Sequence, residues 1–442
     1  MRIMKKVVKF GGSSLASAEQ FKKAGEIVRS DKARAYVVPS APGKRYKSDT
    51  KVTDMLYTCY EIAKSDKDFS KQLKAIKSRY DEIISGLKLD MSLDEEFKII
   101  ERNFKEKAGS DYAASRGEYL NGRIMSKYLG FEFIDAADVI FFNEDGEFDS
   151  EKTNDVLGRR LAGMSGVVVP GFYGSLPDGK VKTFSRGGSD ITGSILSRAA
   201  KVDIYENWTD VSGFLVADPR IIDEPVGIDT ITYRELRELS YMGASVLHED
   251  AIFPVRREGI PINIKNTNAP EDSGTWIVES TAQKSKYTIT GIAGKKGFCS
   301  VNIDKAKMNN EIGFGRKVLQ VFEDNGISFE HMPSGIDTMT IFVHQDEFMD
   351  KEQQVVSGIH RLAHPDSVEI EADLALIAVV GRGMKSTRGT AGRIFSALAH
   401  ADVNVKMIDQ GSSELNIIIG VANDDFETAI KAIYDIFVTA NI

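Results

Sequence analysis

Lys9-Phe10-Gly11-Gly12-Ser13-Ser14 closes a short β-branched run and leads into a helical pattern entered at Ser17 or Ala18. Paired glycines let a backbone approach an anion closely, and exposed N–H groups at the positive end of a helix favour a phosphate there. Lys9 adds a full positive charge at the same spot. The spacing is not that of a Walker loop, and Pro42-Gly43-Lys44-Arg45 does not supply one either. Taken alone, a Gly-Gly-Ser stretch also reads as a plain tight turn. A second stretch, Phe184-Ser185-Arg186-Gly187-Gly188-Ser189-Asp190, opens another helical pattern, Ile191 to Ala200. Two such loops facing each other would cradle a triphosphate from both sides, the electrostatic arrangement that phosphoryl transfer needs. Arg186 offers a planar fork for a carboxylate or phosphate, while Asp190 reads either as a helix cap or as a catalytic carboxylate.

Three further places could add to such a site. Glu118 lies on a helical pattern whose apolar positions are Leu120, Ile124 and Met125, where a carboxylate is either a solvated surface group or a site residue. Trp208-Thr209-Asp210-Val211-Ser212-Gly213-Phe214 and Ala217-Asp218-Pro219-Arg220 form a polar connection after a strand, either a surface loop or a wall for a nucleotide. Lys265, Asn266 and Thr267 end another strand, and ligands of open parallel sheets sit beyond the carboxyl ends of their strands.

The elements that must position these residues alternate. Strands are expected at Lys6 to Phe10, Ala35 to Val38, Phe131 to Asp135, Val167 to Pro170, Val202 to Glu206 and Pro261 to Lys265. Apolar residues at three- and four-residue spacings predict helices over Asp54 to Lys64, Phe69 to Leu87, Ala113 to Leu129 and Tyr233 to Asp250. This is the pattern of an α/β domain with a mainly parallel sheet, expected to end near Ser285. The remainder repeats itself at a shift of 76 positions. Val318 to Phe322, Asn325 to Phe329, Pro333-Ser334-Gly335 and Thr340 to Val343 map onto Ile394 to Leu398, Ala401 to Val405, Asp409-Gln410-Gly411 and Asn416 to Ile419. With a second helix in each copy, Lys351 to Leu362 and Phe426 to Phe437, two βαββαβ units are expected.

Composition bounds the partners. The chain has 442 residues, room for about three domains. Its 57 Lys+Arg against 65 Asp+Glu give a net charge of −8, which argues against a nucleic-acid-coating role. Cys59 and Cys299 stand alone, so neither a disulfide framework nor a structural zinc site is expected. Apolar runs such as Leu374 to Val380 are far short of a bilayer span and no secretory signal precedes Lys9, so a cytoplasmic protein without membrane contact is expected. The sequon Asn207-Trp208-Thr209 is accordingly read as unglycosylated.

The motifs KFGGSS, Ser40-Ala41 with Lys51-Val52-Thr53-Asp54, GEYLNGR, FSRGGSD, WTDVSG with ADPR, YMGASVLH and IPINIKNT stand in the order seen in aspartate kinases, and MPSGIDT and GTAGRIF resemble their paired ACT domains. The resemblance implies an amino-acid-kinase α/β/α sandwich over 1–285 with a mainly parallel central sheet. It also implies two ferredoxin-like ACT domains over 286–442, the first at roughly 305–370 and the second at roughly 371–442 with a strand from 286–304. The activity implied is transfer of the γ-phosphoryl group of Mg-ATP to the side-chain carboxylate of L-aspartate, the entry to lysine, threonine and methionine. By the same resemblance Lys9, Gly11, Gly12 and Ser13 hold the transferring phosphoryl group, and Asp190 orients the cations of the site. Glu118 meets the substrate ammonium group, and Arg186 its α-carboxylate, with Thr53, Gly187, Gly188 and Ser189 completing the pocket. Thr209, Asp210, Arg220 and Lys265 are implied nucleotide contacts, and Mg²⁺ is held mainly through ATP oxygens rather than by a protein cage.

The same family binds an end-product amino acid between ACT units. Met308, Asn325, Gly326, Ile327, Ser334, Gly335, Ile336 and Asp337 match that pocket, with lysine as the first expected effector and threonine the second. Pairing of ACT domains between chains implies a homodimer or a dimer of dimers. Three positions depart from the family pattern: Pro42 to Thr50 is longer and more basic, Leu215 replaces a frequent tyrosine, and Glu249-Asp250 follow His248. Another amino-acid kinase would share the glycine loops without GEYLNGR, WTDVSG or the ACT tail, and an inactive amino-acid sensor would have no need of Lys9, Arg186 and Asp190. At this length no homoserine dehydrogenase part is expected.

Overall fold

In β1 (Lys6–Phe10) the residues Val7, Val8, Lys9 and Phe10 are all buried, the burial of a strand covered on both faces. It belongs to a computed structural model that describes residues 4–440 apart from 186, 245–246, 248–251 and 283–285. Arg186, His248 to Asp250 and the expected domain end at Ser285 therefore lie outside the described residues. The chain divides into two compact units, Met1–Phe214 with Gly227–Tyr233 and Ser245–Thr281, and Leu215–Val226 with Arg234–Ala244 and Ala282–Ile442.

The first unit continues with α1 (Ala18–Ser30), β2 (Arg34–Pro39), α2 (Val52–Lys64), α3 (Ser70–Gly86), α4 (Asp94–Lys105), α5 (Ser110–Leu129), β3 (Glu132–Phe133), α6 (Ser150–Leu161) and β4 (Val167–Val168). Next come the hairpin of β5 (Tyr173–Ser175) and β6 (Val181–Thr183), then α7 (Gly188–Ala199), β7 (Ile204–Thr209) and β8 (Thr230–Thr232). It ends with α9 (Phe253–Arg256), β9 (Ile262–Asn266) and β10 (Thr275–Val278), while α8 (Tyr233–Tyr241) belongs from Arg234 on to the second unit. The sheet order is β3-β4-β2-β1-β7-β9-β10-β8, with the first six strands parallel and β10 antiparallel to β9. Apolar faces of α1 to α5 share one core with Val8, Phe10, Val37, Val168 and Trp208, while α7 packs on β1, β2 and β7. Six parallel strands bring their carboxyl ends to one edge, so Gly11, Ser40, Asp210 and Thr267 all leave the sheet on the same side.

In the second unit, β11 (Gly291–Asp304), α10 (Phe314–Asp324), β12 (Phe329–His331), β13 (Thr338–His344), α11 (Gln345–Phe348) and α12 (Glu352–Ala363) are followed by β14 (Ser367–Val380), α13 (Thr390–His400), β15 (Met407–Asp409), β16 (Asn416–Ala422) and α14 (Phe426–Tyr434). Both β11 and β14, and both α10 and α13, begin 76 residues apart, as the internal repeat predicts. The antiparallel sheet runs β12-β13-β11-β14-β16-β15. β11 and β14 pair along their whole length, from Gly291 with Val380 to Asp304 with Ser367. β13 joins only the later part of β11, and β16 only the later part of β14, so each long strand serves both repeats. The register shifts beside Gly297, whose φ of +91° suits glycine.

Two segments from the middle of the chain fold with this unit. Ile292 N–H donates to Val216 O (2.7 Å). The fully buried Glu235 accepts from Thr290 Oγ1 (2.6 Å) and from Arg382 Nη1 (3.0 Å). The helix expected to reach Asp250 is interrupted after Tyr241, where Gly243 takes a φ of +105°. Among the described residues no helix is long and apolar enough to cross a membrane.

Candidate active site

Lys9, 7% exposed, points from the last turn of the β1 ladder to the first turn of α7. Its Nζ lies 2.6 Å from Asp190 Oδ1 and donates to Asn207 Oδ1 at 3.3 Å, while Asn207 Nδ2 donates to the same Asp190 oxygen at 2.8 Å. Tyr205 Oη donates to the Asp190 main-chain carbonyl (3.1 Å). Asp190 is therefore not a cap: Gly187 holds the N-cap position with φ +58°, and the aspartate is the inward-facing carboxylate of a closed triangle. A buried lysine in such a triangle is held extended and still carries N–H groups for a third anion.

The turn after β1 is clasped by the one after β2. Gly11 N–H donates to Trp208 O (2.9 Å) and Gly43 N–H to Gly12 O (2.8 Å). A Cβ on Gly12 would stand 3.0 Å from Ala41 O, and one on Gly43 would stand 2.6 Å from Gly12 C and 2.8 Å from Ser13 N. Both glycines are thus required by close backbone approach. Ser14 Oγ and Thr267 Oγ1, 2.8 Å apart, tie the same turn to the end of β9. Arg79, buried on α3, closes the Pro42 to Thr50 segment by donating to Gly43 O (3.0 Å), Thr50 O (3.3 Å) and Asp49 Oδ2 (3.0 Å), and Arg45 adds a pair with Asp49 (2.9 Å). Without Arg79, Asp49 keeps its pair with Arg45, but the carbonyls of Gly43 and Thr50 lose their donor. Arg79→Ala should accordingly cost about 3 kcal/mol of stability in urea unfolding, and a loss under about 1 kcal/mol would show that the segment is held some other way.

Glu118 is 5% exposed and not the solvated surface group its helix position allows. Asn121, one turn on, donates through Nδ2 to Ser40 O (2.6 Å), which brings the Ser40-Ala41 step against α5. The Ala41 N–H then donates to the Glu118 carboxylate, whose Oε2 has no partner among the described residues. Burial pushes the carboxyl up to about 8, against the N–H of Ala41 and the charge of Arg116, which favour its ionised form. Thr53 Oγ1 lies 3.7 Å from where a Cβ on Gly117, the preceding residue, would stand. Ser189 packs on the end of β4, since a Cβ on Gly171 would meet its Oγ at 2.5 Å, and Gly188 presses on Phe172 in the same way.

The structure therefore brings together Lys9, Gly11, Gly12, Ser13, Asp190 and Thr209 in one cluster, and sets Thr53 against Gly117, the residue before Glu118 on α5. Gly187, Gly188 and Ser189 form the start of α7. Asp210 accepts from Thr209 Oγ1 (3.2 Å), and Lys265 Nζ lies 5.3 Å from the Trp208 ring centre at the end of β9. Arg220 is in the second unit, 86% exposed and paired with Asp218 at 3.0 Å through Nε. Also in the second unit, Lys305 N–H and Asn309 N–H donate to the carbonyls of Asp337 (2.8 Å) and Ile336 (3.1 Å), so the Met308 turn meets the Ser334 to Asp337 turn. Asn325, Gly326 and Ile327 follow the far end of α10, about 16 Å from its start.

Two residues escaped the sequence reading. Asn207 is visible there only as a sequon, whereas in the fold it holds both charged partners. Phe172 takes a φ of +82°, a left-handed conformation unusual for a bulky residue and found here beside Gly188. Its signal, a Pro-Gly step before an aromatic residue, is too weak to have found it. Among the described residues no three His, Cys, Asp or Glu side chains converge on a metal position. That donor set fits a Mg²⁺ ion carried by a nucleotide, with Asp190 as an available protein oxygen.

A family model described as the amino acid kinase family matches residues 4–266, and one described as an ACT domain matches 377–437. Aspartokinase 3 of Bacillus subtilis is 42% identical over 98% of both chains. The crystal structure of Clostridium acetobutylicum aspartate kinase superposes with a TM-score of 0.90 at 52% identity, covering 98% of this chain and 100% of that one. Escherichia coli aspartokinase III, solved with aspartate and ADP, shares the fold with a TM-score of 0.74 at 24% identity, covering 98% and 99%. With one family model spanning more than half of its length and the Bacillus protein aligned over nearly all of it, the chain belongs to the amino acid kinase family and, within it, to the aspartokinases.

Proposed function

We propose that the Lys9–Asp190–Asn207 triangle receives the tail of ATP and that Glu118 holds L-aspartate beside it, so that the γ-phosphoryl group passes to the aspartate side chain. The observation that carries this reading is the combination of a buried lysine facing two glycine turns with a buried carboxylate whose second oxygen is still open to an ammonium group. The acceptor carboxylate is already ionised at neutral pH, its ordinary pKa being about 3.9. No general base is therefore needed: a carboxylate oxygen bonds to the γ-phosphorus, the bond from that phosphorus to the β–γ bridging oxygen breaks, and ADP leaves with that electron pair. What the protein must supply is alignment and relief of charge repulsion. Lys9 and the amides of Gly12 and Ser13 meet the equatorial oxygens, Gly11 lets the turn come close while its own N–H is held by Trp208 O, Asp190 fixes the lysine, and Thr209, Asp210 and Lys265 take the rest of the nucleotide. Mg²⁺ bound through ATP oxygens supplies neutralisation of the phosphate charge.

Arg186, with Gly187, Gly188, Ser189 and Thr53, completes the aspartate pocket. Arg186→Ala should raise the KM for aspartate at least about tenfold with kcat nearly unchanged, and an unaltered KM would remove it from the pocket. The second unit binds an end-product amino acid at the Met308 and Ser334 to Asp337 turns, while the Asn325 to Ile327 turn lies at the far end of α10. Lysine is the first choice and threonine the second; E. coli aspartokinase III has been solved with lysine and aspartate. Exposed Phe329, Ile336 and Ile408 suit a homodimer, or a dimer of dimers, formed through this unit in the cytoplasm. The test is hydroxylamine trapping of acyl phosphate with aspartate, glutamate and N-acetylglutamate, each repeated with lysine and threonine. Hydroxamate from aspartate alone is expected, suppressed by lysine; its absence with aspartate would overturn the reading.

A further inference from the structure

Side chains alternate along β7, so Tyr205 and Asn207 reach Asp190 on α7, whereas Glu206 and Trp208 point to the opposite face of the sheet, Trp208 into the core shared with α1 to α5. Glu206 is 3% exposed and takes no part in the phosphoryl-transfer steps given above. Lys6 Nζ of β1 donates to its Oε1 at 2.8 Å, and Arg34 Nε, at the start of β2, donates to its Oε2 at 2.8 Å. The same Oε2 accepts from Trp208 Nε1 at 2.9 Å. The Trp208 ring has two cations near it, the Arg34 guanidinium and Lys265 Nζ at the end of β9, each 5.3 Å from its centre. Four neighbouring strands, β2, β1, β7 and β9, thus meet at one carboxylate and one indole.

A buried ion network seldom stabilises a fold more than apolar packing of the same volume would, because desolvation consumes the Coulombic gain. What such a network can fix is relative position. In parallel register Val8 stands against Glu206, Lys9 against Asn207 and Phe10 against Trp208, and a slip of one residue would turn each of these side chains to the other face. Lys6 and Arg34 hold Glu206 from two strands, so β7 is tied to β1 and β2 immediately behind the contacts of Lys9 with Asn207 and Asp190. The tie carries on to the phosphate turn, since Trp208, anchored to Glu206 through its indole, accepts the Gly11 N–H on its main-chain oxygen at 2.9 Å. We propose that Glu206 is a positioning residue for phosphoryl transfer: through Lys6, Arg34 and Trp208 it sets the reach of Lys9 and the placing of the Gly11 to Ser13 turn from the reverse face of the sheet. This role rests on the aspartate kinase reading given above. Displacing reacting groups by about 1 Å costs up to roughly 100-fold in rate, which makes a residue that touches no substrate visible in the kinetics.

Glu206→Gln keeps the shape and an acceptor for the indole while removing the charge that gathers Lys6 and Arg34. Its kcat should fall by roughly 30-fold, with the KM values for ATP and aspartate moving less than about threefold, since the groups that bind are still present. Its urea midpoint should fall as well, because buried cations are left without their carboxylate. Adding Lys6→Met removes one of those cations and keeps most of the stem as an apolar chain. The double variant should regain most of the lost midpoint and stay roughly 30-fold slow in kcat, since the tie between β1 and β7 is absent from both proteins. Glu206→Asp, which keeps the charge on a shorter stem, should fall between Glu206→Gln and the unaltered protein in kcat. If Glu206→Gln alone does not fold, the double variant and Glu206→Asp carry the comparison. A kcat within about threefold of normal in any folded protein with Glu206→Gln, or a kcat that recovers in step with the urea midpoint, the mark of a merely structural acid, would overturn the positioning role while leaving the kinase intact. Absence of acyl phosphate from the unaltered protein with aspartate would instead remove the function and this role together.

Discussion

Replacing Lys9 by alanine should lower kcat by about a hundredfold or more, with the KM for aspartate changed by no more than a few-fold. The lysine sits in a dry position, 2.6 Å from Asp190 and beside the Gly11 turn, where a Cβ would come within 3.6 Å of its Nζ. A fixed positive charge there costs no reorganisation when negative charge spreads over the oxygens of the moving phosphoryl group, which is why its loss falls on the chemical step. Aspartate binding depends on other side chains, so the substrate should still saturate. Lys9→Met, which keeps most of the stem and its packing, separates charge from volume: it should be as slow as the alanine variant while melting closer to the unaltered protein. Turnover within about threefold of normal in either variant would show that phosphoryl charge is met elsewhere.

The parts of the molecule legible in the sequence are those fixed by local pattern. Val7 to Phe10 read as a strand because an apolar run between a basic start and a double glycine has few other uses, and β1 spans Lys6–Phe10. The repeat was legible because two copies of one unit bury the same positions, and β11 and β14 begin at the predicted shift. Conversely, β3 and β4 are only two residues long, since pairing with neighbours, not propensity, sets strand ends. The site was half legible. Glycine loops announce themselves, yet a carboxylate on a helix does not say which way it faces. Glu118 is buried because Asn121 draws the Ser40 to Ala41 step onto α5, a contact across 81 positions that no window of sequence contains. Asp190 gives up the capping role its position suggests because Lys9 and Asn207, one from β1 and one from β7, converge on it. The assignment of 215–226 to the second unit was invisible for the same reason, depending on a backbone bond from Ile292 to Val216.

Glu118→Gln should change activity and stability in opposite directions. Burial pushes the Glu118 carboxyl up to about 8, so near pH 7 it is mostly neutral, while the proposed contact with the ammonium group of aspartate requires it charged. Binding therefore releases a proton below that pH, and kcat/KM for aspartate should climb by up to about tenfold per unit between roughly pH 6 and 8, then level off. Glutamine cannot ionise, so the variant should show a KM raised by roughly 100-fold and no such climb. Folding responds with the other sign. Between the ordinary carboxyl value of 4.5 and about 8 the native protein keeps a proton that the unfolded chain has lost, so this group's contribution to stability falls as pH rises through that window. Each unit corresponds to about 1.4 kcal/mol, and Glu118→Gln should be more stable than the unaltered protein by on the order of 4 kcal/mol at pH 8.5 and nearly equal to it at pH 4.5. Urea midpoints and aspartate kinetics across the same pH series would decide: a variant that loses both stability and affinity at pH 8.5 would mean that Glu118 serves packing and not the substrate.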